Sequence, residues 1–288
     1  VENDASQKLT RLEELLVEMK SVLVAFSGGV DSSFLLHVAS KVLGDRAMAA
    51  TATSSTYPLH ELMEGKEFCR NLAVKHILFE SEELEIEGFR ENSPDRCYYC
   101  KKELFGKLIA LAKNHKLQEV VDGNNMDDLK DYRPGRRAAR ELGVKSPLVE
   151  AELGKKEIRS LSREMGLPTW EKGAFACLSS RFPYGTEITR EGLKRVEKCE
   201  NFLREKGFRQ FRVRYHDSVA RIELDEEDIP RMIVKRTRKE IADLFKSEGF
   251  TFVSLDLEGY RTGSMNESLT SVQSSEFRDQ CSDKKQGE

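Results

Sequence analysis

Six cysteines in 288 residues are too few for a disulfide scaffold, so thiols are expected. No export leader is in view: the early apolar stretch Leu9 to Val17 is interrupted by Arg11, Glu13 and Glu14. No apolar run approaches the roughly 18 residues of a membrane span. A cytoplasmic protein without a membrane partner is therefore expected. The net charge of -3 shows no surplus of either sign, which argues against nucleic acid or an anionic lipid surface as the general partner. There is no internal repeat. What remains is a soluble globular balance, 34% charged and 39% hydrophobic, long enough for one large or two ordinary domains.

Against that background one stretch stands out: Phe26-Ser27-Gly28-Gly29-Val30-Asp31-Ser32-Ser33. It follows the apolar run Val22 to Phe26 and opens a segment of helical periodicity, Phe34 to Ala39. A strand, a glycine turn and a helix make a phosphate cradle. Glycines without Cβ let backbone N–H groups approach an anion, and the helix start adds unpaired donors and a positive dipole end. Ser27, Ser32 and Ser33 add hydroxyls, and the Asp31 carboxylate suits a Mg²⁺ between itself and a phosphate. A tight turn with a serine cap would use the same residues. The stretch is neither a Walker A loop, since no lysine follows the glycines, nor G-x-G-x-x-G. Ser-Gly-Gly-Val-Asp-Ser-Ser resembles the SGGxDS loop of the PP-loop ATP pyrophosphatases, which grips the pyrophosphate leaving from ATP while a substrate oxygen is adenylated.

Around this loop, strands are expected at Ala47 to Thr53, His76 to Phe79 and Glu119 to Asn124. Helices are expected at residues 8–20, to about Leu43, Leu59 to Ala73, Leu104 to Ala112 and Lys155 to Met165. The alternation indicates an α/β fold with a doubly wound parallel sheet, whose ligand site lies at the C-terminal strand ends. Ser27, Ser54 and Gly123 stand at such ends and are assigned to ATP with Gly28, Gly29, Asp31, Ser32 and Ser33. Ser54 to Pro58 is where such a fold would hold the adenine ring. The character changes near Gly173. A helix from Arg190 to Lys206, capped by Thr189, precedes an alternating hairpin, Phe211–Tyr215 and Val219–Leu224. A helix over about Asp228 to Gly249 and a strand at Phe252 to Leu257 complete a small α+β unit. The expected division is 8–172 for the PP-loop domain, 173–267 for the smaller domain and 268–288 for a polar, disordered tail.

Cys97-Tyr98-Tyr99-Cys100 leaves three readings open: a redox dithiol, a structural zinc site and a three-cysteine iron–sulfur cluster. The context is wrong for a thioredoxin-like dithiol, and zinc would need a second ligand pair that is not there. Cys177, at the junction of the two domains, is the best third cysteine and is expected to face a cleft. Cys69 and Cys199 fall within helices, where packing is the default, and Cys281 lies in the tail.

Ser180-Arg181-Phe182-Pro183-Tyr184-Gly185-Thr186, Asp131-Tyr132-Arg133-Pro134-Gly135, Arg212-Val213-Arg214 and Gly259 to Asn266 together resemble the LarE family over nearly the whole chain. That family comprises the sulfur transferases that build the nickel-pincer nucleotide cofactor of lactate racemase. The resemblance implies that ATP adenylates a carboxylate of pyridinium-3,5-biscarboxylic acid mononucleotide, and that sulfur then displaces AMP to leave a thiocarboxylate. In one branch the cysteine matching Cys177 gives up its own sulfur. In another, three cysteines hold a [4Fe-4S] cluster whose extra sulfide is the donor, and Cys97, Cys100 and Cys177 match that branch. It further implies Arg212 and Arg214 on the substrate phosphate, Ser180, Arg181 and Glu200 toward substrate or AMP, a sulfide source, and a homo-oligomer of up to six chains. Arg212 and Arg214, two apart on a strand, would share one face; forked guanidinium groups suit phosphate.

The rivals are an iron–sulfur tRNA thiolation enzyme and a nucleotide-binding regulator without turnover. The first would use a basic patch such as Lys235 to Lys239 and bind tRNA in a salt-sensitive way. The second would bind ATP without releasing pyrophosphate. An amidotransferase is disfavoured because no glutaminase domain is present.

Overall fold

The computed structural model describes residues 2–130, 134–173, 176–261 and 264. The expectations placed on Asp131–Arg133, on Thr262, Gly263, Met265 and Asn266, on Cys281 and on the tail at 268–288 lie outside the described residues. The chain forms two compact units, Val1–Cys177 and Leu178–Glu288.

The first unit is built on a parallel sheet of four strands in the order β3-β2-β1-β4. In chain order its elements are α1 (Glu2–Met19), β1 (Val22–Ala25), α2 (Val30–Leu43), β2 (Ala47–Thr53), α3 (Leu59–Asn71), β3 (His76–Glu80), α4 (Arg96–Asn114), β4 (Glu119–Val121), α5 (Gly135–Glu141), α6 (Pro147–Glu150) and α7 (Lys155–Glu164). Val22 pairs with Ala47 on one side and Glu119 on the other, so β1 is central. Successive side chains of a strand point to opposite faces, and both faces here are apolar. Val22 and Val24 join Leu12, Leu16, Phe34, Leu35 and Ile158 in one core. Leu23 joins Phe105, Leu108, Ala112 and Ala138 in the other. Helices therefore cover both faces, which is the doubly wound α/β architecture. The strand order reverses between β1 and β4, and the crevice outside their carboxyl ends is where such sheets bind ligands.

The second unit comprises α8 (Arg190–Glu205), β5 (Phe211–His216), β6 (Val219–Leu224), α9 (Ile229–Met232), α10 (Lys235–Ser247) and β7 (Phe252–Leu255). Thr189 caps α8, its side chain accepting from Gly192 N. β5 and β6 form the antiparallel hairpin, and β7 adds in parallel to β6. One face carries Phe211, Val213, Ala220, Ile222 and Leu224, all buried. Phe182 stacks on Tyr215 at 4.7 Å between ring centres. The other face carries Arg212, Arg214, Arg221 and Glu223. The single helix expected over about Asp228 to Gly249 is divided: Val234 is extended (φ -55°, ψ 131°), so α9 stops and α10 starts afresh. No helix among the described residues is long and apolar enough to cross a membrane.

Candidate functional site

The loop Ser27-Gly28-Gly29 leaves β1 and enters α2 as the pattern requires. Gly28 has φ +67°, a left-handed backbone that glycine adopts without strain. Gly29 precedes the helix in extended conformation, and the first-turn amides of α2 have no acceptor within the helix. On the opposite wall, past β4, a Cβ on Gly123 would stand 3.0 Å from Ser32 N. Glycine there keeps the space over these amides open, as an anion requires.

The hydroxyls divide their work. Ser27 Oγ and Ser32 Oγ are 3.1 Å apart, and Ser32 Oγ donates to Gly29 O at 3.2 Å, bracing the turn. Tyr57 donates to Ser27 O at 3.0 Å. Burial, then Glu61, pushes this phenol up, so it stays protonated as a donor. Ser33 is fully buried, and its hydroxyl has no partner among the described residues. Ser54, one residue beyond β2, shares a hydrogen bond with Thr56 at 3.0 Å between hydroxyl oxygens.

Asp31 carries the charge of the loop. Its Oδ2 meets Lys155 Nζ at 2.5 Å, while its Oδ1 is buried and has no partner among the described residues. A buried carboxylate oxygen left over beside a phosphate cradle fits a hard cation such as Mg²⁺. Lys155 opens α7, and its own amide donates to Asp127 Oδ2 at 2.8 Å. Nothing in the sequence links Lys155 to a loop 124 residues away, so the ion pair was invisible to pattern reading.

The thiols lie at the same end of the sheet. α4 follows β3, so its first turn, with Cys97 and Cys100, sits beside the carboxyl ends of the strands. Cys97 is exposed, and Cys100 and Cys177 are half-buried. Enclosure by protein pushes the Cys97 thiol up, with Cys177 acting in the same direction. Cys100 is pushed well above its ordinary value, by burial and then by Glu83. The three sulfurs are thus near enough to feel one another's charge. Among the described residues no three His, Cys, Asp or Glu side chains close on one point as a single metal ion would need. A cluster's ligands bind separate irons and stand wider apart, so three neighbouring thiols, one exposed and two half-buried, fit its donor chemistry. The packing is tight here: a Cβ on Gly135, at the start of α5, would lie 2.8 Å from Lys101 Cγ and 3.3 Å from Cys97 O. Cys69 and Cys199 are buried at 1% and 0% exposure, and burial raises both thiols, Cys69 to about 12.

In the second unit Arg181, Arg212 and Arg214 gather with Ser180 and Glu200. Glu200, a helix residue that could have faced solvent, is buried. It accepts from Arg181 Nε at 2.9 Å, Arg181 Nη2 at 2.8 Å and Val213 N at 3.0 Å. Burial works against its ionisation, but Arg181 overcomes this and holds the carboxyl below its usual range. Arg214 forms the matching fork on Glu223, at 2.9 and 2.6 Å, and donates to Ser180 O at 2.8 Å and Ser264 Oγ at 2.8 Å. Arg221 joins Glu223 at 3.2 Å and Asp256 at 3.0 Å. Arg212 is half-buried, with its guanidinium over the Tyr260 ring at 5.1 Å. Burial and then Arg181 push it down from its ordinary value. The sequence singles out Arg212 and Arg214 as candidates. It also points to Glu200, but not to Glu223, the carboxylate that fixes the Arg214 fork, or to Asp256, which pairs with Arg221, because both read as ordinary polar positions.

No protein-family model matches the chain. It is 43% identical over 263 residues to an uncharacterized protein of Synechocystis sp., covering 91% of this chain and 98% of that one. It is 38% identical over 274 residues to pyridinium-3,5-bisthiocarboxylic acid mononucleotide synthase of Lactiplantibacillus plantarum, covering 95% and 98%. A more distant likeness, 25% over 164 residues, joins 51% of this chain to 52% of a glutamine-hydrolysing GMP synthase component of Thermoplasma acidophilum.

Proposed function

The chain belongs to the LarE family, and from that premise we propose that it is an ATP-dependent sulfur transferase. It adenylates the carboxylates of pyridinium-3,5-biscarboxylic acid mononucleotide and converts them to thiocarboxylates. The observation that carries this reading is the sharing of one sheet end by a phosphate cradle and three neighbouring thiols. A regulator without turnover has no use for the thiols, and an amidotransferase has no use for them either.

A carboxylate is a poor electrophile because its oxygen is a poor leaving group. Its attack on the α-phosphorus of ATP breaks the bond to the β-phosphate and releases pyrophosphate. The amides of the Gly29–Ser32 turn and the space over Gly123 receive that charge, with Lys155 as a further cation. Asp31 Oδ1 would hold a Mg²⁺, which supplies additional neutralisation of the polyphosphate. Arg212, with Arg181 and Arg214 held in place by Glu200 and Glu223, takes the phosphate of the mononucleotide. Ser180 lies between two of these arginines and orients them. Cys97, Cys100 and Cys177 would hold a [4Fe-4S] cluster, which when bound supplies the sulfur.

The test is iron and acid-labile sulfide per chain after anaerobic reconstitution, followed by turnover with ATP and the pyridinium mononucleotide. About four of each per chain is expected, lost in Cys97→Ala and Cys177→Ala and kept in Cys199→Ala. A protein without iron whose Cys177 loses the mass of one H₂S on reaction would instead be a single-use donor. Pyrophosphate release that depends on tRNA rather than the mononucleotide would overturn the substrate assignment.

A further inference from the structure

Lys101 is the first residue after Cys100, and the adenylation and cluster-binding roles leave it without a task. It stands on the first turns of α4, half-buried. Its ammonium lies over the Phe105 ring at 5.3 Å from the centroid, and its stem is packed against Gly135, where a Cβ would reach within 2.8 Å of Cγ. The side chain is therefore held in place. It is within electrostatic range of three groups: the Cys97 and Cys100 sulfurs, and Asp122 at the carboxyl end of β4. Asp122 does not neutralise it at close range. Its Oδ1 accepts from Ser146 Oγ at 2.8 Å and Asn124 N at 3.2 Å, and its Oδ2 from Asn124 Nδ2 at 2.5 Å. Among the described residues the Lys101 ammonium makes neither an ion pair nor a hydrogen bond. Holding a partly desolvated cation in place without a counter-ion costs free energy, and the arrangement is useful where an anion arrives.

We propose that Lys101 is a catalytic residue of the sulfur-transfer step, binding the anionic sulfur nucleophile between the thiols and the strand-end crevice. This rests on the sulfur-transferase reading. In that step hydrosulfide attacks the acyl carbon of the acyl-adenylate. A C–S bond forms, the C–O bond to the AMP phosphate breaks, and the electron pair leaves with AMP. The remaining S–H proton goes to solvent, and no atom changes oxidation state. Two anions, hydrosulfide and the adenylate phosphate, must approach each other, and a fixed ammonium beside the sulfur offsets that repulsion. Adenylation brings no sulfur anion to this place and does not need it.

The test separates the two half-reactions in the full-length protein. Lys101→Gln is expected to slow thiocarboxylate formation from inorganic sulfide about 100-fold. Single-turnover pyrophosphate release is expected to stay within about twofold, as is hydroxamate formation when neutral hydroxylamine replaces sulfide in protein without iron, because neither meets this charge. Iron and acid-labile sulfide per chain stay at the wild-type level, and Lys101→Arg recovers part of the sulfide-dependent rate. Equal losses with sulfide and hydroxylamine, or no loss with sulfide, would overturn the proposal while leaving the parent reading intact. If the wild-type protein forms hydroxamate but never thiocarboxylate, the parent reading fails and this one with it.

Discussion

The two oxygens of Asp31 meet different surroundings, one held by Lys155 and one buried without a partner among the described residues. That asymmetry makes a prediction about cation demand. If Lys155 shares Asp31 with the incoming Mg²⁺, Lys155→Ala should lower the Mg²⁺ concentration for half-maximal pyrophosphate release, while slowing the maximal rate. Asp31→Asn should raise the Mg²⁺ requirement and cut the rate by about 10²–10³-fold, the usual loss when a group stabilising charge in the transition state is removed. A Mg²⁺ titration of both variants checks this, and an unchanged half-saturation in Lys155→Ala would refute the sharing. At this scale Ser27, Asp31 and Arg212 could be read from their neighbours in sequence. Lys155 and Glu223 could not, since each acts through a partner that only the fold brings near.

At the scale of elements, legibility followed burial pattern. β6 matches its expected limits because apolar alternation and flanking turn residues coincide there, and β2 because an unbroken run of small and β-prone residues is bounded by turn residues on both sides. α9 and α10 look like one helix in the sequence because the residues on both sides are helix formers, and nothing in their composition marks the extended Val234. α5 carries few large apolar residues, so it gave no period to read; Ala138 and Ala139 are its buried positions. Its first residue is nevertheless critical to the thiol turn. Gly135→Ala should improve helix propensity yet destabilise the fold by about 1–3 kcal/mol, because the new methyl group must displace Lys101 or the Cys97 carbonyl. Denaturant midpoints measure that loss of stability. Iron content after reconstitution measures the damage to the thiol turn, and it should fall below that of the parent protein.

For the whole molecule the pH response has a sign. Burial lowers His37, His76 and His216, with His76 at about 4. Thr51 Oγ1 spends its only proton on Phe26 O at 2.7 Å, so His76 Nε2 must donate to it at 2.8 Å. A histidine whose folded value lies below its unfolded value of about 6.5 costs stability as pH falls from there to about 4, because the unfolded chain takes the proton first. Glu200 acts in the same direction at lower pH, while the raised Glu83 and Asp122 oppose it. For His76 the loss is on the order of 2 kcal/mol after allowance for its partial contact with water. His76→Gln keeps a donor for Thr51 and removes the titration. Its denaturant midpoint should therefore vary less between pH 6.5 and 4 than that of the parent; parallel curves would show that His76 is not responsible.

The central place of β1 also bears on the order of synthesis. β1 emerges from the ribosome first among the strands and finds β2 soon afterwards, but its other neighbour, β4, begins only at Glu119. Until then the nascent chain carries Val22-Leu23-Val24 as an open, apolar strand edge, the kind of template that recruits other chains. The far wall at Gly123 and the cation at Lys155 come later still. The candidate phosphate cradle is therefore complete only once the chain has passed Lys155, and ribosome-bound fragments ending before Glu119 should depend on chaperones for solubility.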